Sequence, residues 1–180
     1  MHITHNIASI YTLYVNDLFN YGKYLGFKKD VVMDAIHDVF CRLAENDSVL
    51  RDVANIKSYL FRCLKNRLLD IYKSEREIVS ICADYDITNN LPFEIHINIE
   101  DKLIDKEEKQ LIESQIAEML NTLTDRQREV IYLRYVQGCD YKEIAELLNI
   151  SIQSCRNHVA RSIKELRDKY GVLLLLLAMT

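Results

Sequence analysis

The chain has 180 residues, of which only four are glycine and one is proline. Because so few residues interrupt helices, the composition predicts an all-α protein. The formal net charge of −4 is unlike that of a free-standing nucleic-acid-binding domain, which is usually basic. The five cysteines are odd in number and form no Cys-x-x-Cys pair. This argues against disulfides or a zinc site and favours buried thiols in a reducing cytoplasm, with no metal or cofactor.

The first two predicted helices are amphipathic. The first spans Ile7 to Tyr24, and its predicted inner face holds Ile10, Leu13, Tyr14, Leu18 and Tyr21. Asp30 is the predicted N-cap of the second helix, whose apolar residues recur at helical spacing as far as Leu43. The outer face of that helix carries Asp34, His37, Asp38 and Arg42. The polar stretch from Asn46 to Asn55 is expected to form a loop.

The third predicted helix, from Ile56 to Tyr72, combines positive charge with aromatic residues. Its predicted inner face holds Tyr59, Leu60, Cys63, Leu64, Leu68 and Ile71, and its other faces hold Lys57, Arg62, Lys65, Asn66, Arg67 and Lys73. Such a helix suits melted DNA, because aromatic rings such as Tyr59 and Phe61 stack on unpaired bases and an amide hydrogen-bonds a flipped base. Aromatic residues in a core with lysines in water would give the same pattern, so the helix alone leaves both interpretations open.

A change of composition separates this helix from the C-terminal part of the chain. Residues 57–76 contain six basic residues against two acids, whereas residues 77–108 contain nine acids against two lysines. Pro92, paired asparagines and scattered acids without a helical period predict a flexible linker over residues 77–100. Helical spacing returns from Asp101 to Leu120. We therefore expect two small helical domains, residues 1–76 and 101–170, joined by that linker.

Three short helices with defined ends are predicted between Thr124 and Arg167. Thr124 with Gln127, and Asp140 with Glu143, have the spacing of capping boxes. Glycine at position 138 stops the first of these helices, Asn149 can end the second, and Ser151 caps the third. Two short capped helices after a glycine break are typical of a helix-turn-helix, which places its second helix in the DNA major groove.

The last of these helices has two different faces. Its predicted buried stripe is Ile152, Cys155, Val159, Ile163 and Leu166. Its opposite face carries residue types that contact base edges and phosphates: Gln153, Arg156, Asn157, Ala160, Arg161 and Lys164. An ordinary solvated helix of mixed charge is the alternative, but the sided basic face makes DNA the better interpretation. Eight apolar residues run from Val172 to Met179 near the C-terminus; they are too few to span a bilayer, so no membrane insertion is expected.

Taken together, these motifs resemble the extracytoplasmic-function (ECF) group of bacterial RNA polymerase sigma factors, which retain conserved regions 2 and 4. DAIHDVFCRLAEN, residues 34–46, resembles region 2.2, and IKSYLFRCLKNRLLDIYKSE, residues 56–75, resembles regions 2.3 and 2.4. LTDRQREVIYLRY, GCDYKEIAELLNIS and CRNHVARSIKELR resemble region 4. The resemblance covers residues 7–75 and 101–168.

For the N-terminal domain, the resemblance implies two kinds of contact. Region 2.2 docks on the largest subunit of core RNA polymerase, which points to Asp34, His37 and Asp38. Region 2.4 recognises and helps to melt the −10 promoter element. Asn66 matches the position near an unpaired base, and the loop 46–55 matches the loop that captures this base. The implied −10 set is Tyr59, Arg62, Lys65, Asn66 and Arg67.

For the C-terminal domain, the resemblance implies contact with the −35 element. Arg156, Asn157, Ala160 and Arg161 match the positions that face this duplex, and Lys142 is expected to hold a backbone phosphate. A sigma factor binds promoters as part of holoenzyme, so a net negative charge is compatible with this role. Family members are commonly sequestered by a membrane-bound anti-sigma factor, which makes such a factor a further expected partner.

Two other classes of function remain as alternatives. A stand-alone regulator with a LuxR-like helix-turn-helix fits residues 123–151 nearly as well, although such regulators usually carry a receiver or ligand-binding domain ahead of the motif. An enzyme would have to use Asp34, Asp38 and His37. These residues lie on one exposed helix face without a glycine-rich loop or nucleophile motif, so a solvated surface is the better interpretation and no catalytic activity is expected.

Overall fold

A computed structural model of the chain describes residues 7–46, 49–50, 53–77, 91–95 and 106–171. The protein is all-α, as the composition predicts, and the described part contains no strand. Two compact units make up the chain. Unit 1 comprises residues up to Pro92 together with Glu146–Leu148, and unit 2 comprises Phe93–Ala145 and the residues from Asn149 onward. No helix in the described part is long and apolar enough to cross a membrane.

Three helices form unit 1: α1 (Ile7–Tyr24), α2 (Lys29–Glu45) and α3 (Ile56–Glu77). They pack against one another pairwise. The Tyr21 ring of α1 lies 5.0 Å from the Phe61 ring of α3, and both side chains are fully buried. A Cβ added to Gly22 would lie 2.6 Å from Cγ1 of Val32 in α2. Glycine at this position therefore allows α1 and α2 to approach closely.

One expectation for α1 and one for α2 are wrong. Leu13, predicted to face inward, is 67% exposed, because the buried positions of α1 are Ile10, Leu18, Tyr21 and Gly22. Asp30 is not the N-cap of α2. The helix begins two residues earlier than predicted, at Lys29, after Lys28 in an extended conformation without a side-chain cap. Asp30 instead lies in the first turn, where a carboxylate is stabilised by the helix dipole.

Four helices belong to the C-terminal half: α4 (Lys106–Asn121), α5 (Asp125–Ile131), α6 (Tyr141–Leu148) and α7 (Ile152–Tyr170). Helix α5 packs on α7. Met119, Leu123 and Leu166 form a buried cluster with Ile116, Leu120, Ile131 and Tyr170 around it.

The helix predicted after Thr124 has an unpredicted ending. Residues 132–136 continue it as a π-helical segment, in which the Gln137 N–H donates to the Tyr132 carbonyl at 3.0 Å.

The predicted linker is only partly described, and within the described part Phe93 makes contacts in unit 2. Phe93 is buried, and its ring lies 5.5 Å from the Tyr132 ring. Its N–H donates to Asp125 Oδ1 at 3.0 Å, and its carbonyl accepts from Arg128 Nε at 2.6 Å. Residue 93 therefore belongs to the fold of unit 2 rather than to a linker. Residues 78–90 and 96–105, and the apolar tail 172–180, lie outside the described residues.

Candidate nucleic-acid interface

Local hydrogen bonds define where the helices of the C-terminal half begin, and they confirm the predicted caps. Thr124 and Gln127 form a complete capping box. The Glu143 N–H donates to Asp140 Oδ1 and the Asp140 N–H donates to Glu143 Oε2, each at 2.7 Å. The Ser151 hydroxyl accepts from the Ser154 N–H at 3.0 Å.

The two breaks between these helices use left-handed backbone at the two residues that were predicted to end the helices. Gly138 has φ +70°, and Asn149 has φ +52°. Most residues pay a steric cost in this region, but glycine and asparagine enter it more easily. After the second break, the Ile150 N–H donates to the Ala145 carbonyl at 3.0 Å. Helices α6 and α7 are therefore separated by a tight, hydrogen-bonded turn, as in a helix-turn-helix.

The inner face of α7 differs from the predicted stripe at two positions. The buried residues are Cys155, Val159, Ser162 and Leu166, whereas Ile152 is 41% exposed and Ile163 is 38% exposed. Ser162 tolerates burial because its hydroxyl donates to the His158 carbonyl at 2.8 Å. Positions 162 and 163 are neighbours on the helix, so the apolar pattern selected the wrong one. The prediction that Ile152 and Ile163 are buried is wrong.

The outer face of α7 presents every predicted DNA-contacting residue to solvent. All six side chains are exposed: Gln153, Arg156, Asn157, Ala160, Arg161 and Lys164. Gln153 Nε2 donates to Asn157 Oδ1 at 3.0 Å, one helical turn apart. The predicted phosphate contact Lys142 is also exposed, in the first turn of α6. Lysine, arginine and amide side chains on one exposed helix face form a surface suited to the major groove.

His158 is a member of this surface that sequence reasoning missed. It lines a surface cavity of about 280 Å³ together with Gln153, Asn157 and Arg161. Burial lowers the pKa of His158 from its ordinary value, and the charges of Arg126 and Arg161 lower it further. The signal that could have found it is spacing. Position 158 lies three residues before Arg161, so both residues share one helix face.

Helix α3 supports only part of the predicted −10 surface. Asn66 is exposed, Tyr59 is half-buried, and the guanidinium of Arg62 lies over the Tyr59 ring at 5.7 Å. The prediction that Lys65 lies on an outer face of this helix is wrong, because its side chain is only 3% exposed. Position 65 follows buried Phe61 by one turn, and it therefore turns toward the core. Phe61 is fully buried as well, so it is not available to stack on a base.

A cavity of about 320 Å³ lies between α2 and α3. Tyr59, Asn66 and Arg67 line it from α3, and Asn46 and Val49 line it from the predicted base-capturing loop. Residues 47–48 and 51–52 of that loop lie outside the described residues. The volume is at the lower end of the range for ligand pockets. An aromatic ring and an amide side chain at its wall are groups that hold an extruded base.

The predicted polymerase-facing residues are not equivalent. Asp34 and His37 are exposed on α2. The Tyr11 hydroxyl lies 3.3 Å from Nε2 of His37, and the two rings stack. Asp38 instead accepts from Arg67, with the Arg67 Nη2 atom 2.6 Å from Asp38 Oδ2. The structure therefore joins Asp38, predicted to bind polymerase, to Arg67, predicted to bind DNA.

The chain is similar to known proteins both in sequence and in fold. The family model Sigma-70, region 4 matches residues 113–166. The ECF RNA polymerase sigma factor SigM of Bacillus subtilis is 24% identical over 165 residues, which cover 92% of this chain and 95% of the relative. The ECF RNA polymerase sigma factor SigK of Mycolicibacterium vanbaalenii is 26% identical over 147 residues, covering 82% of this chain and 70% of the relative.

Two solved structures share the fold. The sigma factor RpoE of Bartonella quintana, in complex with the anti-sigma factor NepR, aligns with a TM-score of 0.60 at 21% identity and covers 93% of this chain and 98% of that chain. CnrH, in complex with the cytosolic domain of CnrY, aligns with a TM-score of 0.52 at 18% identity, covering 90% and 85%. The capped helix-turn-helix, the region 4 match and the near full-length sequence similarity agree. The chain is therefore similar over nearly its whole length to extracytoplasmic-function sigma factors, and its residues 113–166 match Sigma-70, region 4.

Proposed function

We propose that the chain binds core RNA polymerase in the cytoplasm and directs it to promoters by contacting the −10 and −35 elements. The observation that carries this proposal is the sidedness of α7. Cys155, Val159, Ser162 and Leu166 are buried on its inner face, while the six residues of this helix that are predicted to contact DNA are exposed on the opposite face. Such a helix can present arginine and amide groups to base edges without disturbing the packing of the unit.

In unit 2, exposed residues of α6 and α7 would divide into base-reading and phosphate-binding groups. Arg156, Asn157 and Arg161 have side chains that can form paired hydrogen bonds with purine edges. Lys164, Lys142 and Gln153 would contact the phosphate backbone, which positions the helix without reading sequence. Ala160 would lie where a larger side chain would keep the helix out of the groove.

In unit 1, the cavity between α2 and α3 would accept an unpaired base of the −10 element. Tyr59 and Asn66 would contact this base, and Arg62, held over the Tyr59 ring, would contact a neighbouring phosphate. Lys65 is not proposed as a phosphate ligand, because its side chain is buried. Arg67 would act mainly by holding Asp38 at the cavity wall.

The proposed protein partners follow from the similarity to sigma factors and from the exposure of side chains on α2. Asp34 and His37 are exposed on α2, and we propose that they dock on the largest subunit of core polymerase. An anti-sigma factor is a further proposed partner, since two relatives of the same fold were solved in complex with the anti-sigma factor NepR and with the cytosolic domain of CnrY. The proposed action is recruitment, without catalysis by the chain itself.

The proposal is tested by a mobility shift of promoter DNA with and without core polymerase. The probes are duplexes that holoenzyme selects from a pool of bacterial genomic fragments. A net charge of −4 predicts weak binding by the chain alone and a stable shift only with polymerase. A shift of similar strength without polymerase would instead indicate a stand-alone, LuxR-like regulator.

Variants of α7 locate the contact within the same assay. Arg161→Ala should weaken binding by about 1–3 kcal/mol at one base position if the guanidinium pairs with a base. Arg167→Ala is the matched control, since Arg167 is an exposed arginine in the last turn of the same helix. Equal effects of both substitutions at every position would contradict base reading by Arg161.

A further inference from the structure

The turn between the π-helical segment and α6 places an aromatic ring beside the DNA-facing helix. Tyr141 is the first residue of α6 and is half-buried. The capping box of Asp140 and Glu143 holds the backbone on both sides of it, with two hydrogen bonds of 2.7 Å. These bonds are local, so they fix the backbone that carries the ring at the start of α6.

Two guanidinium groups lie over this one ring. Cζ of Arg134 is 4.8 Å from the ring centroid of Tyr141, and Cζ of Arg156 is 5.7 Å from it. Both distances are within the range of a cation–π interaction. The two arginines come from different elements, since Arg134 belongs to the π-helical segment and Arg156 to α7. The ring therefore joins three consecutive elements of unit 2.

The two arginines differ in what else they contact. Arg134 is half-buried, and its Nη1 donates to the Cys139 carbonyl at 2.9 Å, so it closes the turn before α6. Arg156 is exposed, and among the described residues it makes no hydrogen bond or ion pair. Its five N–H donors therefore remain available to a ligand, while the Tyr141 ring limits the positions that its side chain can take.

A long arginine side chain loses much rotamer freedom when it pairs with a base, and this loss weakens binding. A ring that already restricts the guanidinium reduces the loss, because part of the ordering is complete before DNA arrives. The contact also stabilises Arg156 beside the positive charge of Arg134, since the electron-rich ring face attracts both cations.

We propose that Tyr141 is a positioning residue for Arg156, and that its ring holds the guanidinium where it reads one base of the −35 duplex. This inference rests on the proposed function, which assigns base reading to Arg156. It goes beyond that function by giving a residue outside α7 a part in promoter selectivity. Tyr141 itself would touch no base.

The test uses holoenzyme assembled from core polymerase and the full chain. Its probes are the promoter duplexes selected from the genomic pool, together with single-base variants across the −35 element. Tyr141→Phe keeps the ring and should retain both affinity and base preference. Tyr141→Leu removes the ring and should lower affinity by about two- to fivefold, the size of one exposed cation–π contact. The preference for one base over the others should be lost only at the base position where Arg156→Ala also loses it.

A double variant and an isosteric ring complete the test. Tyr141→Leu combined with Arg156→Ala should bind no more weakly than Arg156→Ala alone, because both changes remove one interaction. If the leucine variant fails to fold, pentafluorophenylalanine at position 141 keeps the shape of the ring while reversing its charge distribution. It should then reproduce the position-specific loss.

The possible failures are distinguishable. If Arg156→Ala loses base preference while the leucine and fluorinated variants keep it, the positioning role is overturned and the proposed function stands. If Arg156→Ala leaves the preference at every position unchanged, base reading by Arg156 is wrong, and the positioning role fails with it. A uniform loss across all positions in the Tyr141 variants would show a purely structural role and would also overturn the inference.

Discussion

The guanidinium of Arg67 donates to a single carboxylate oxygen of Asp38, from Nε at 2.8 Å and from Nη2 at 2.6 Å. This pair joins α3 to α2 at the wall of the cavity proposed to receive a base. The two residues belong to stretches with different expected partners, DNA for one and polymerase for the other. Their contact gives each of them a role inside unit 1.

The Asp38–Arg67 pair should contribute modestly to stability. Both side chains are partly exposed, so solvent screens the pair and the expected coupling is about 0.5–1 kcal/mol. A double-mutant cycle with Asp38→Ala and Arg67→Ala, measured as the free energy of unfolding in urea, gives this coupling directly. Glu45→Ala with Lys73→Ala, at exposed positions of the same two helices, is the control and should be additive. Strict additivity of Asp38→Ala and Arg67→Ala would contradict the pairing.

The close approach of α1 and α2 at Gly22 predicts a steric effect. An added Cβ would lie 2.6 Å from Cγ1 and 2.9 Å from Cγ2 of Val32, so Gly22→Ala should destabilise unit 1 by about 1–3 kcal/mol. Val32→Ala removes the methyl groups that clash. The double variant should therefore be more stable than the sum of the two single effects, as measured by thermal unfolding.

Gly138 offers a comparison in which the cause is conformational. A Cβ there would meet no atom within 4 Å, but the residue has φ +70°. Gly138→Ala should cost about 1–2 kcal/mol because of backbone strain alone, and Gly138→Asn should cost less. If Gly22→Ala were as well tolerated as Gly138→Asn, the contact with Val32 would not be as close as described.

The position of His158 predicts a dependence of stability on pH. Burial, Arg126 and Arg161 lower the pKa of His158 in the folded chain. As the pH falls below the ordinary histidine pKa, near 6.5, the unfolded chain therefore takes up this proton before the folded chain does. The free energy of unfolding should decrease over this window, because the unfolded state binds more protons there.

Replacing the imidazole tests this sign. His158→Gln should flatten the decrease in the free energy of unfolding between about pH 7 and pH 5, measured by urea titration at each pH. His37→Gln, at an exposed position of α2, is the control and should leave the contribution of His158 in place. A steeper decrease in His158→Gln would mean that the shift has the opposite sign.

Asp34 is expected to matter for polymerase binding rather than for stability. It is exposed on α2, so Asp34→Ala should change the free energy of unfolding by less than about 0.5 kcal/mol while reducing retention of core polymerase in a pull-down. Asp30→Ala removes the same charge from an exposed position one turn earlier and serves as the control. Equal retention by both variants and the parent would exclude Asp34 from the docking surface.

The features that sequence predicted best are those decided by near neighbours. The caps at Thr124, Asp140 and Ser151 each depend on a partner three residues away, so their hydrogen bonds can be inferred from spacing. The left-handed residues Gly138 and Asn149 were found for the same reason. These local signals define the helix-turn-helix, and with it the exposed face of α7.

The features that sequence missed depend on tertiary packing. Lys65 is buried and Ile163 is exposed, the reverse of what their residue types predict, because packing against the neighbouring helices decides which side chains turn inward. Local spacing could not show that Arg128 and Asp125 hold Phe93, since 30 or more positions separate the partners. The π-helical segment adds one residue to a turn without any residue type that marks it.

Transcription in vitro tests the central claim most directly. Core RNA polymerase, a pool of bacterial genomic fragments and the purified chain are combined, and the 5′ ends of the transcripts are sequenced. We predict new start sites that require the chain and share −10 and −35 elements, with initiation reduced in the Arg156→Ala and Asn66→Ala variants. The account would be contradicted if the chain produced no new start sites, or if it changed only the strength of start sites used by another sigma factor.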